Sequence, residues 1–402
     1  MGCGHYFFNG LGPCFHVGCM TAYLPWLIFP FCCTAVLYYC YAIYATVDFF
    51  RQDHRVDPDF HPPVTILKPL CGVDVNTYEN LASFCHQDYA EYQVIFSVRE
   101  ATDPCLPVVE QLILAFPDVD IELVVCDRTI GTNLKVSNLA NGVEKAKHDV
   151  IVLADCDILV QSDYLQQIVQ PLANPEVGVV TCLYNSWAKG WLAGFEALGI
   201  TTRNHANVLA AHKLEGMHFA FGSTIVIRQA ALAKIGGFAA LADHLADDFH
   251  MGNLPTQVGY QVVLSPYIVE HQLATTNLSE FFHRQARWAR CIRVERFWGY
   301  VGLLFTFGTT SGVLFLLATQ GSILGWSVLV VMLASRWLMA WVIAIYYLHD
   351  RVAQRLWWLV PLRDLINFAI WGYGMVGTTV EWRGYRYKLR KNGKLTQIIS
   401  TG

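Results

Sequence analysis

The chain has 402 residues, of which 54% are hydrophobic and 15% are charged, and its formal net charge is -4. This composition is too apolar for an ordinary soluble protein and too charged for a bundle of membrane helices alone. A polar domain and a membrane part must therefore coexist in the chain. The acidic balance excludes a globally basic nucleic-acid binder, and since the sequence carries no nucleic-acid motif, we expect no nucleic acid among its partners.

The N-terminal segment has no Lys, Arg, Asp or Glu as far as Val47. Its apolar stretch from about Ala22 to Val47 exceeds the roughly 20 residues that a membrane-spanning helix needs. A cleavable signal peptide would have a basic leader and a shorter apolar core. We therefore predict that residues 1–50 form an N-terminal transmembrane anchor.

Residues 51–297 alternate short β-rich runs with helical patterns. This alternation predicts an α/β domain in which a mostly parallel sheet is joined by crossover helices. Ligands bind such sheets at the carboxyl ends of the strands, so the polar residues that follow each strand are the first candidates for a site. We expect strands at 64–67, 93–98, 121–125, 150–153 and 177–180.

Polar residues follow several of these strands. Asp155 and Asp157 suit Mg²⁺ or Mn²⁺, which prefers one or two carboxylates with phosphate oxygens and water, although such residues also cap turns. Glu100 is positioned to accept a hydrogen bond from a nucleobase or ribose, or else is a solvated surface residue. Lys135 begins a predicted helix, where its charge and the free backbone N–H groups would attract phosphate. An ordinary exposed lysine is the alternative.

Two further motifs lie near the end of the domain. Asp247 and Asp248 are adjacent, so repulsion between their carboxylates can raise the pKa of one of them into the range of a general base. Alternatively, they form an exposed acidic pair at a helix N-terminus, where the helix dipole favours negative charge. The run RQARW at 284–288 precedes a long uncharged stretch. Arg284 and Arg287 are three residues apart, share a helix face and could bind one diphosphate, or they could simply anchor the helix at a membrane interface.

The stretch from 298 to 348 is apolar and long enough for two helices with a tight turn near Gln320 and Gly321. The next apolar segment, 356–380, contains Arg363, Asp364 and Asn367, which are costly in lipid. We expect this segment to be re-entrant, interfacial or inward-facing. Residues 298–380 are thus the predicted C-terminal membrane region.

Residues 381–402 form a predicted basic tail. Its cations, together with Arg51 and Arg55, favour the cytoplasmic side, and scattered cysteines without a Cys-x-x-Cys pair favour reduced thiols there. The side of the tail depends on whether the last apolar segment spans the membrane. We expect an integral, multi-pass membrane protein with its polar domain on the cytosolic face.

The spacing of Trp187, Trp191, Phe195 and Leu198 is close to that of one helix face. Such an apolar stripe could lie in the membrane interface and guide a lipid toward Asp248. Ordinary packing of a helix in the core is the alternative.

Four parts of the polar domain together resemble the D, D, D, (Q/R)xxRW signature of membrane glycosyltransferases of the family-2 type. In chain order these are Glu100, Asp155 with Asp157, Asp247 with Asp248, and the run at 284–288. More narrowly, LKPL at 67–70, GVD at 72–74 and GTNLKVSNL at 131–139 resemble the ceramide glucosyltransferase family and its bacterial hopanoid-glycosyltransferase relatives. The resemblance implies a GT-A (Rossmann-like) cytosolic domain with N-terminal and C-terminal transmembrane helices.

The resemblance also implies a role for each matching residue. Glu100 would contact the uridine, Asp155 would hold the metal and the diphosphate, and Asp157 is a further candidate metal ligand. Asp248 would be the base that deprotonates the acceptor hydroxyl. The leaving diphosphate would be held, and the acceptor site shaped, by Arg284, Arg287 and Trp288. The other residues of the implied nucleotide-sugar site are Lys68, Pro69, Lys135, Asn138 and Asp247.

The implied reaction is inverting transfer of glucose from UDP-glucose to ceramide at the cytosolic membrane face, with Mg²⁺ or Mn²⁺ as the cofactor. The runner-up is transfer of a UDP-sugar, for instance N-acetylglucosamine, to a hopanoid or another lipid alcohol. A processive polysaccharide synthase shares the arginine motif, but few membrane segments remain here to build an export channel. A non-catalytic lipid-binding membrane protein is the alternative from a different class, and the full set of acidic sites argues against it.

Overall fold

A long apolar helix begins the described part of the chain, which in the computed structural model comprises residues 14–52, 55–274, 277–382 and 384–398. This helix, α1 (Cys14–Arg51), carries its first charged side chain only at Asp48. Its portion Tyr23–Arg51 is long and apolar enough to cross a membrane. Residues 1–13 of the predicted anchor lie outside the described residues.

The polar domain is built on an eight-stranded mixed sheet of order β3-β2-β1-β4-β7-β6-β8-β5. Strands β3, β2, β1 and β4 are parallel to one another, as are β6 and β8, whereas β7 and β5 run antiparallel to their neighbours. The strands are β1 (Val64–Pro69), β2 (Tyr92–Val98), β3 (Asp120–Val125), β4 (Val150–Leu153), β5 (Ile158–Leu159), β6 (Val177–Ala188), β7 (Ile225–Arg228) and β8 (Gln261–Leu273).

All five strands predicted from the sequence are present. In β1, β2, β4 and the start of β6 the β-branched residues are buried inside the sheet, whereas β3 is a partly exposed edge strand. Strands β5, β7 and β8 were not predicted. β5 has only two residues, and β8 contains Pro266 together with a polar end at 270–272. β7 (Ile225–Arg228) is a short apolar run, and periodicity alone does not distinguish such a run from a buried helix segment.

Helices cover both faces of the sheet and enclose two large apolar clusters. In this part of the chain the helices are α2 (Thr77–Cys85), α3 (Leu106–Ala115), α4 (Leu134–Gly142), α5 (Tyr164–Ile168), α6 (Trp191–Gly199), α7 (His205–Glu215), α8 (Gln229–Lys234), α9 (Asp247–Gln257) and α10 (Leu278–Glu295). Since α9 and α10 carry the two motifs from the end of the domain, their packing positions the site described below.

The predicted lipid-guiding stripe is not one helix face. Trp187 lies in β6, whereas Trp191 begins α6, so the helical spacing between them is broken by the strand end. Phe195 and Leu198 are buried, and it is the two tryptophans that are exposed, at 42% and 71%. Helix-core packing therefore describes Phe195 and Leu198, and only the tryptophans are placed to contact an interface.

The apolar part after the polar domain packs against α1. Among the described residues, the second helix long and apolar enough to span a membrane is Ile323–Tyr347, and a bent pair, Phe297–Thr306 with Gly308–Ala318, passes the same test as a unit with a 53° bend. The turn predicted near Gln320 is present, since Gln320 and Gly321 both have positive φ. The helices are α11 (Phe297–Gly302), α12 (Gly308–Ala318), α13 (Ile323–Ala340), α14 (Arg351–Leu356) and α15 (Val360–Gly374).

The bend between α11 and α12 is held by Tyr39 of α1. Its hydroxyl donates to the Thr306 carbonyl at 3.2 Å and accepts from the Gly308 N–H at 3.0 Å, and its side chain is 2% exposed. The hydroxyl thus bonds the backbone groups that the break in the helix leaves without helical partners.

We expect Tyr39→Phe to destabilise the folded chain by about 2 kcal/mol, because both backbone groups at the bend lose their partner. Thermal unfolding in detergent measures the effect. Tyr44→Phe is the matched control, since Tyr44 lies on the same helix and is 54% exposed. Equal melting temperatures for the two variants would contradict the assignment.

The charged residues of the last apolar segment face inward. Asp364 of α15 is 2% exposed and binds Arg336 of α13 through Nε at 2.9 Å and Nη2 at 3.0 Å. Thr309 of α12 donates to the same carboxylate at 2.9 Å. Three helices therefore meet at one buried ion pair, which explains how these charges are accommodated in an apolar region.

The predicted basic tail is largely ordered as a second sheet, with antiparallel strands β9 (Thr379–Trp382), β10 (Tyr385–Leu389) and β11 (Leu395–Gln397). The expected boundary at residue 380 thus falls inside β9. The sheet packs on the polar domain, where the Leu395 N–H donates to the Asp243 carbonyl at 2.7 Å. Its position brings basic and aromatic side chains of the tail to the edge of the polar domain.

Candidate active site

The carboxyl ends of β1 and β4 lie side by side and are joined by a buried lysine. Lys68 Nζ donates to the Asp155 carbonyl at 2.6 Å and lies 3.6 Å from the centre of the Phe84 ring. Burial lowers the pKa of Lys68 to about 8. Lys68 therefore fixes the strand end that carries Asp155, and Pro69 lines a small cleft beside it.

Lys68 and Asn138, which the resemblance places in the nucleotide-sugar site, are both buried. Both side chains are at most 3% exposed. Asn138 donates to the Leu70 carbonyl at 3.1 Å and so ties α4 to the end of β1. Both residues support the strand ends that carry the candidate site, and their contact with the nucleotide sugar stays a prediction.

Lys135 connects the two acidic motifs. Its Nζ lies 2.6 Å from Asp155 Oδ1 and 3.4 Å from Asp247 Oδ2. Burial opposes the charged form, but the two carboxylates raise the pKa of Lys135 above its ordinary value. Asn133 caps α4 by accepting from the Val136 N–H and also donates to Asp247 Oδ1 at 3.2 Å. The helix start and both carboxylates are therefore one hydrogen-bonded unit.

Asp248 begins α9 beside this unit. Its carboxylate accepts hydrogen bonds from the Gly222 N–H at 3.3 Å and the Phe249 N–H at 2.8 Å. Burial and the neighbouring Asp247 raise the pKa of Asp248 to about 6. A carboxylate with this pKa is suited to accept a proton near neutral pH.

Gly222, which sequence reasoning missed, joins the two acidic motifs through its backbone. Its N–H donates to Asp248, and its carbonyl accepts from the Asp155 N–H at 3.2 Å. A Cβ at this position would lie 2.8 Å from Asp155 Oδ2 and 3.4 Å from Lys135 Nζ. The only signal in the sequence is a glycine in the apolar run that precedes β7, which is too common a pattern to single out.

Asp157 pairs with a histidine rather than with Lys135. His271 Nε2 lies 3.3 Å from Asp157 Oδ2, and His271 Nδ1 lies 3.1 Å from the Ser186 hydroxyl. The side chains of Asp155 and Asp157 are 37% and 32% exposed, so both remain reachable from solvent. Their carboxylate oxygens, with Lys135 already at Asp155, fit a divalent cation that also binds phosphate oxygens.

The arginine motif lies on α10, and its first arginine is already paired. Arg284 Nε lies 3.3 Å from Glu196 Oε1, and its Nη2 lies 2.9 Å from Glu280 Oε1. Glu196 is fully buried and also accepts from Gln285 Nε2 at 3.1 Å. Sequence reasoning missed Glu196, because it lies in an apolar helix far from the motif in sequence.

The remaining motif residues lie toward the tail sheet. The Arg287 guanidinium is 5.7 Å from the centre of the Trp382 ring in β9, and Trp288 is half-buried. Gln285 accepts from the buried Arg363 of α15 at 2.9 Å. The motif therefore joins the polar domain to α15 and to the tail sheet.

Glu100 is exposed in the loop after β2. Next to it, Arg99 borders a cavity of about 300 Å³ that is closed on one side by the tail sheet. Arg99 and the tail tyrosines were not predicted, because only the tertiary structure brings them together here. The cavity is lined by Arg99, Thr129, Gly131, Thr132, Leu134, Tyr385, Tyr387 and Gln397.

Comparison with solved structures supports the fold. The mannosyltransferase PcManGT from Pyrobaculum calidifontis, solved in complex with GDP-Man and Mn²⁺, superposes with a TM-score of 0.55 at 18% sequence identity. The match covers 87% of this chain and 97% of that one. The likeness confirms the GT-A fold class.

Comparison with curated proteins finds several ceramide glucosyltransferases. Ceramide glucosyltransferase 1 of Caenorhabditis elegans is 26% identical over 259 residues, which are 64% of this chain and 55% of that protein. Ceramide glucosyltransferase 3 of the same organism is 27% identical over 266 residues, covering 65% and 57%. The Candida albicans ceramide glucosyltransferase is 32% identical over 137 residues, covering 30% and 25%.

The chain spans little more than half the length of the two Caenorhabditis relatives. A family model describes much more of it, since the model of glycosyl transferase family 21 matches residues 27–395. That range includes most of the predicted anchor helix, every acidic motif, the arginine motif and the tail strands β9 and β10. The chain therefore belongs to glycosyl transferase family 21.

Proposed function

We propose that the chain is an inverting lipid glycosyltransferase that moves glucose from UDP-glucose to ceramide and forms glucosylceramide. The observation that carries the proposal is the connection of Asp248 to Asp155 through Gly222. This connection supports the proposal, because a single in-line displacement requires a base close to the diphosphate that leaves. The family and the ceramide glucosyltransferase relatives support the choice of donor and acceptor.

In this proposal the residues divide between the acceptor and the donor. The Asp248 carboxylate accepts the proton of the ceramide hydroxyl while that oxygen attacks the anomeric carbon from the face opposite UDP. Lys135 stabilises the diphosphate as it leaves. A divalent cation, Mg²⁺ or Mn²⁺, would be held by Asp155 and Asp157 and would neutralise charge on the departing diphosphate.

The arginine motif has a mixed role in the proposal. Arg284 is held by two carboxylates and therefore positions α10. Its charge also adds positive potential near the ion pair of Asp157 and His271. Arg287 and Trp288 are closer to the tail sheet and would border the diphosphate and the acceptor. The cavity beside Arg99 would take the uridine, with Glu100 at its rim and the tail tyrosines as its far wall.

We also propose that residues 51–297 form the catalytic domain on the cytosolic face, between the anchor and a C-terminal membrane region at 298–380. Support comes from Arg51 and Arg55 at the end of α1 and from the cations of the tail, which is consistent with the positive-inside rule. The exposed Trp191 would lie at the membrane interface, where a lipid acceptor enters.

The acceptor and donor can be identified directly. The purified full-length chain is incubated with several UDP-sugars, with Mg²⁺ or Mn²⁺, and with ceramide or a hopanoid, and the lipid product is identified by mass. Ceramide carrying one hexose, formed only with UDP-glucose, is the expected product. A glycosylated hopanoid alone would replace ceramide as the acceptor, and release of no UDP with any lipid would contradict a transferase function.

We expect kcat/KM to fall as the pH drops below about 6, because Asp248 can accept a proton only when its carboxylate is ionised and its pKa is raised to about 6. The profile is measured between roughly pH 5 and 8, with recovery of activity at neutral pH as the control for irreversible unfolding. A profile that stays flat across pH 6 would contradict the role of Asp248 as the base.

A further inference from the structure

Two histidines and a glutamate meet under the tail sheet, at a place that the proposed transfer reaction does not use. His244, His250 and Glu295 each offer one ligand atom, and the three atoms lie within 4.8 Å of one another. The two imidazole rings are 3.9 Å apart, centre to centre. Three side chains of metal-binding type thus converge on one point.

The three residues come from three different segments. His244 lies before α9 and forms an isolated β-bridge with Lys394 of the tail. His250 lies within α9, and Glu295 is the last residue of α10. The turn of the tail at Gly393 lies directly over the Glu295 carboxylate, where a Cβ would collide with Oε1. The cluster is therefore closed by the tail and connects both helices that carry the transfer motifs.

The polar atoms of the cluster are buried without hydrogen bonds. His244 Nδ1, both ring nitrogens of His250 and Glu295 Oε1 have no hydrogen-bond partner among the described residues. His250 Nε2 lies 3.2 Å from Glu295 Oε2, yet the pair lacks hydrogen-bond geometry. Buried polar atoms in native proteins nearly always have a partner, and several orphans aimed at one point are what a metal ion would satisfy.

We propose that His244, His250 and Glu295 bind a divalent transition metal ion, and that the ion is Zn²⁺. Two imidazoles and one carboxylate are ligands that Zn²⁺ accepts in tetrahedral sites, with water in the fourth position. Mg²⁺ and Ca²⁺ prefer sites made of oxygen alone. Mg²⁺, which suits Asp155, therefore does not suit this cluster.

The bound ion has a positioning role. It joins α9, which begins with Asp247 and Asp248, to the end of α10, which carries Arg287, and it holds the tail turn over both. His250 lies two residues beyond Asp248, and Glu295 lies eight residues beyond Arg287. The ion therefore stabilises the relative placement of the two helices without touching the substrates.

The test uses the full-length chain purified in detergent, stripped with a chelator and equilibrated with Zn²⁺ in excess Mg²⁺. Elemental analysis after removal of free metal should find one Zn²⁺ per chain. His250→Gln and Glu295→Gln, which keep the approximate size of each side chain, should both lose this zinc. The matched control is His86→Gln, because His86 is exposed and distant from the cluster in sequence, and it should keep the zinc.

Two readouts on the unmodified chain remain informative if a variant does not fold. Zn²⁺ should raise the melting temperature of the stripped chain where Mg²⁺ does not, and Co²⁺ in its place should show the visible absorption of a four- or five-coordinate ion. The proposal is overturned if the stripped chain takes up no zinc in excess Mg²⁺, if Glu295→Gln retains full zinc content, or if Co²⁺ shows only a six-coordinate spectrum.

Discussion

Asp248→Asn is expected to lower the kcat of glycosyl transfer by roughly 10³-fold while leaving UDP binding nearly unchanged. The amide has almost the same shape as the carboxylate and can still accept a hydrogen bond from Gly222 or Phe249. It cannot take the proton of the acceptor hydroxyl. Steady-state release of UDP measures the loss, and calorimetric titration with UDP measures binding.

A control for this substitution is available in the same chain. Asp118→Asn removes an exposed carboxylate from the turn before β3 and should leave both quantities unchanged. If Asp248→Asn kept turnover within a few-fold of the parent, another group would have to be the base. If it lost UDP binding as well, the residue would belong to the donor site.

The folding of the Asp248→Asn variant can be checked through its stability, with the sign set by the pKa. The pKa of Asp248 is about 6 in the folded chain and 3.8 in its ordinary environment, so the folded chain holds the proton more tightly. Stability therefore falls as the pH rises from about 4 to about 6, and the cost is complete above that range. The amide removes this cost, so we expect the variant to be more stable than the parent at neutral pH.

Gly222→Ala is expected to lower kcat/KM by roughly 10²-fold, because catalysis is sensitive to displacements of about 1 Å in the reacting groups. The added methyl group would lie 2.8 Å from Asp155 Oδ2, so the carboxylate must move. Gly222 does not have positive φ, and alanine therefore introduces no backbone strain at this position. The loss should appear with an increased requirement for the divalent cation.

Gly302→Ala is the matched control for this substitution. Gly302 lies at the end of α11, and a Cβ there would have no heavy atom within 4 Å. This variant should keep full activity and at least the parent's thermal stability. Normal cation dependence and activity in Gly222→Ala would show that Asp155 does not need its present position.

Much of the sheet could be predicted because local signals and tertiary environment agree there. Strands β1, β2, β4 and the start of β6 are rich in β-branched residues that are buried inside the sheet, as is typical of parallel strands. Strands β7 and β8 were not predicted in this way. They pair with partners distant in sequence, and β7 is short while β8 contains Pro266 and ends in polar residues.

The acidic and arginine motifs were recognisable because their residue types and order are unusual as a set. Their partners were not. Glu196 binds Arg284 from a helix of the polar domain, and Asp364 of α15 binds Arg336 of α13. Such pairs are formed by residues far apart in the chain, so no periodicity or spacing reports them. Only the tertiary structure shows that Lys68 and Asn138 are buried beneath the candidate site.

Composition and residue order were thus sufficient to predict a polar domain beside apolar segments, because this depends on the length of the apolar stretches. The α/β class followed from the alternation of strand and helix patterns, and Asp155 and Asp248 became candidate reactive groups through the order of their motifs. Only the tertiary structure decided that Gly222 joins the acidic motifs, that the tail forms a wall of the cavity beside Arg99, and that His244, His250 and Glu295 meet. The physical reason is that such features are distances between segments remote in sequence. They exist only after the apolar faces of sheet and helices have packed together.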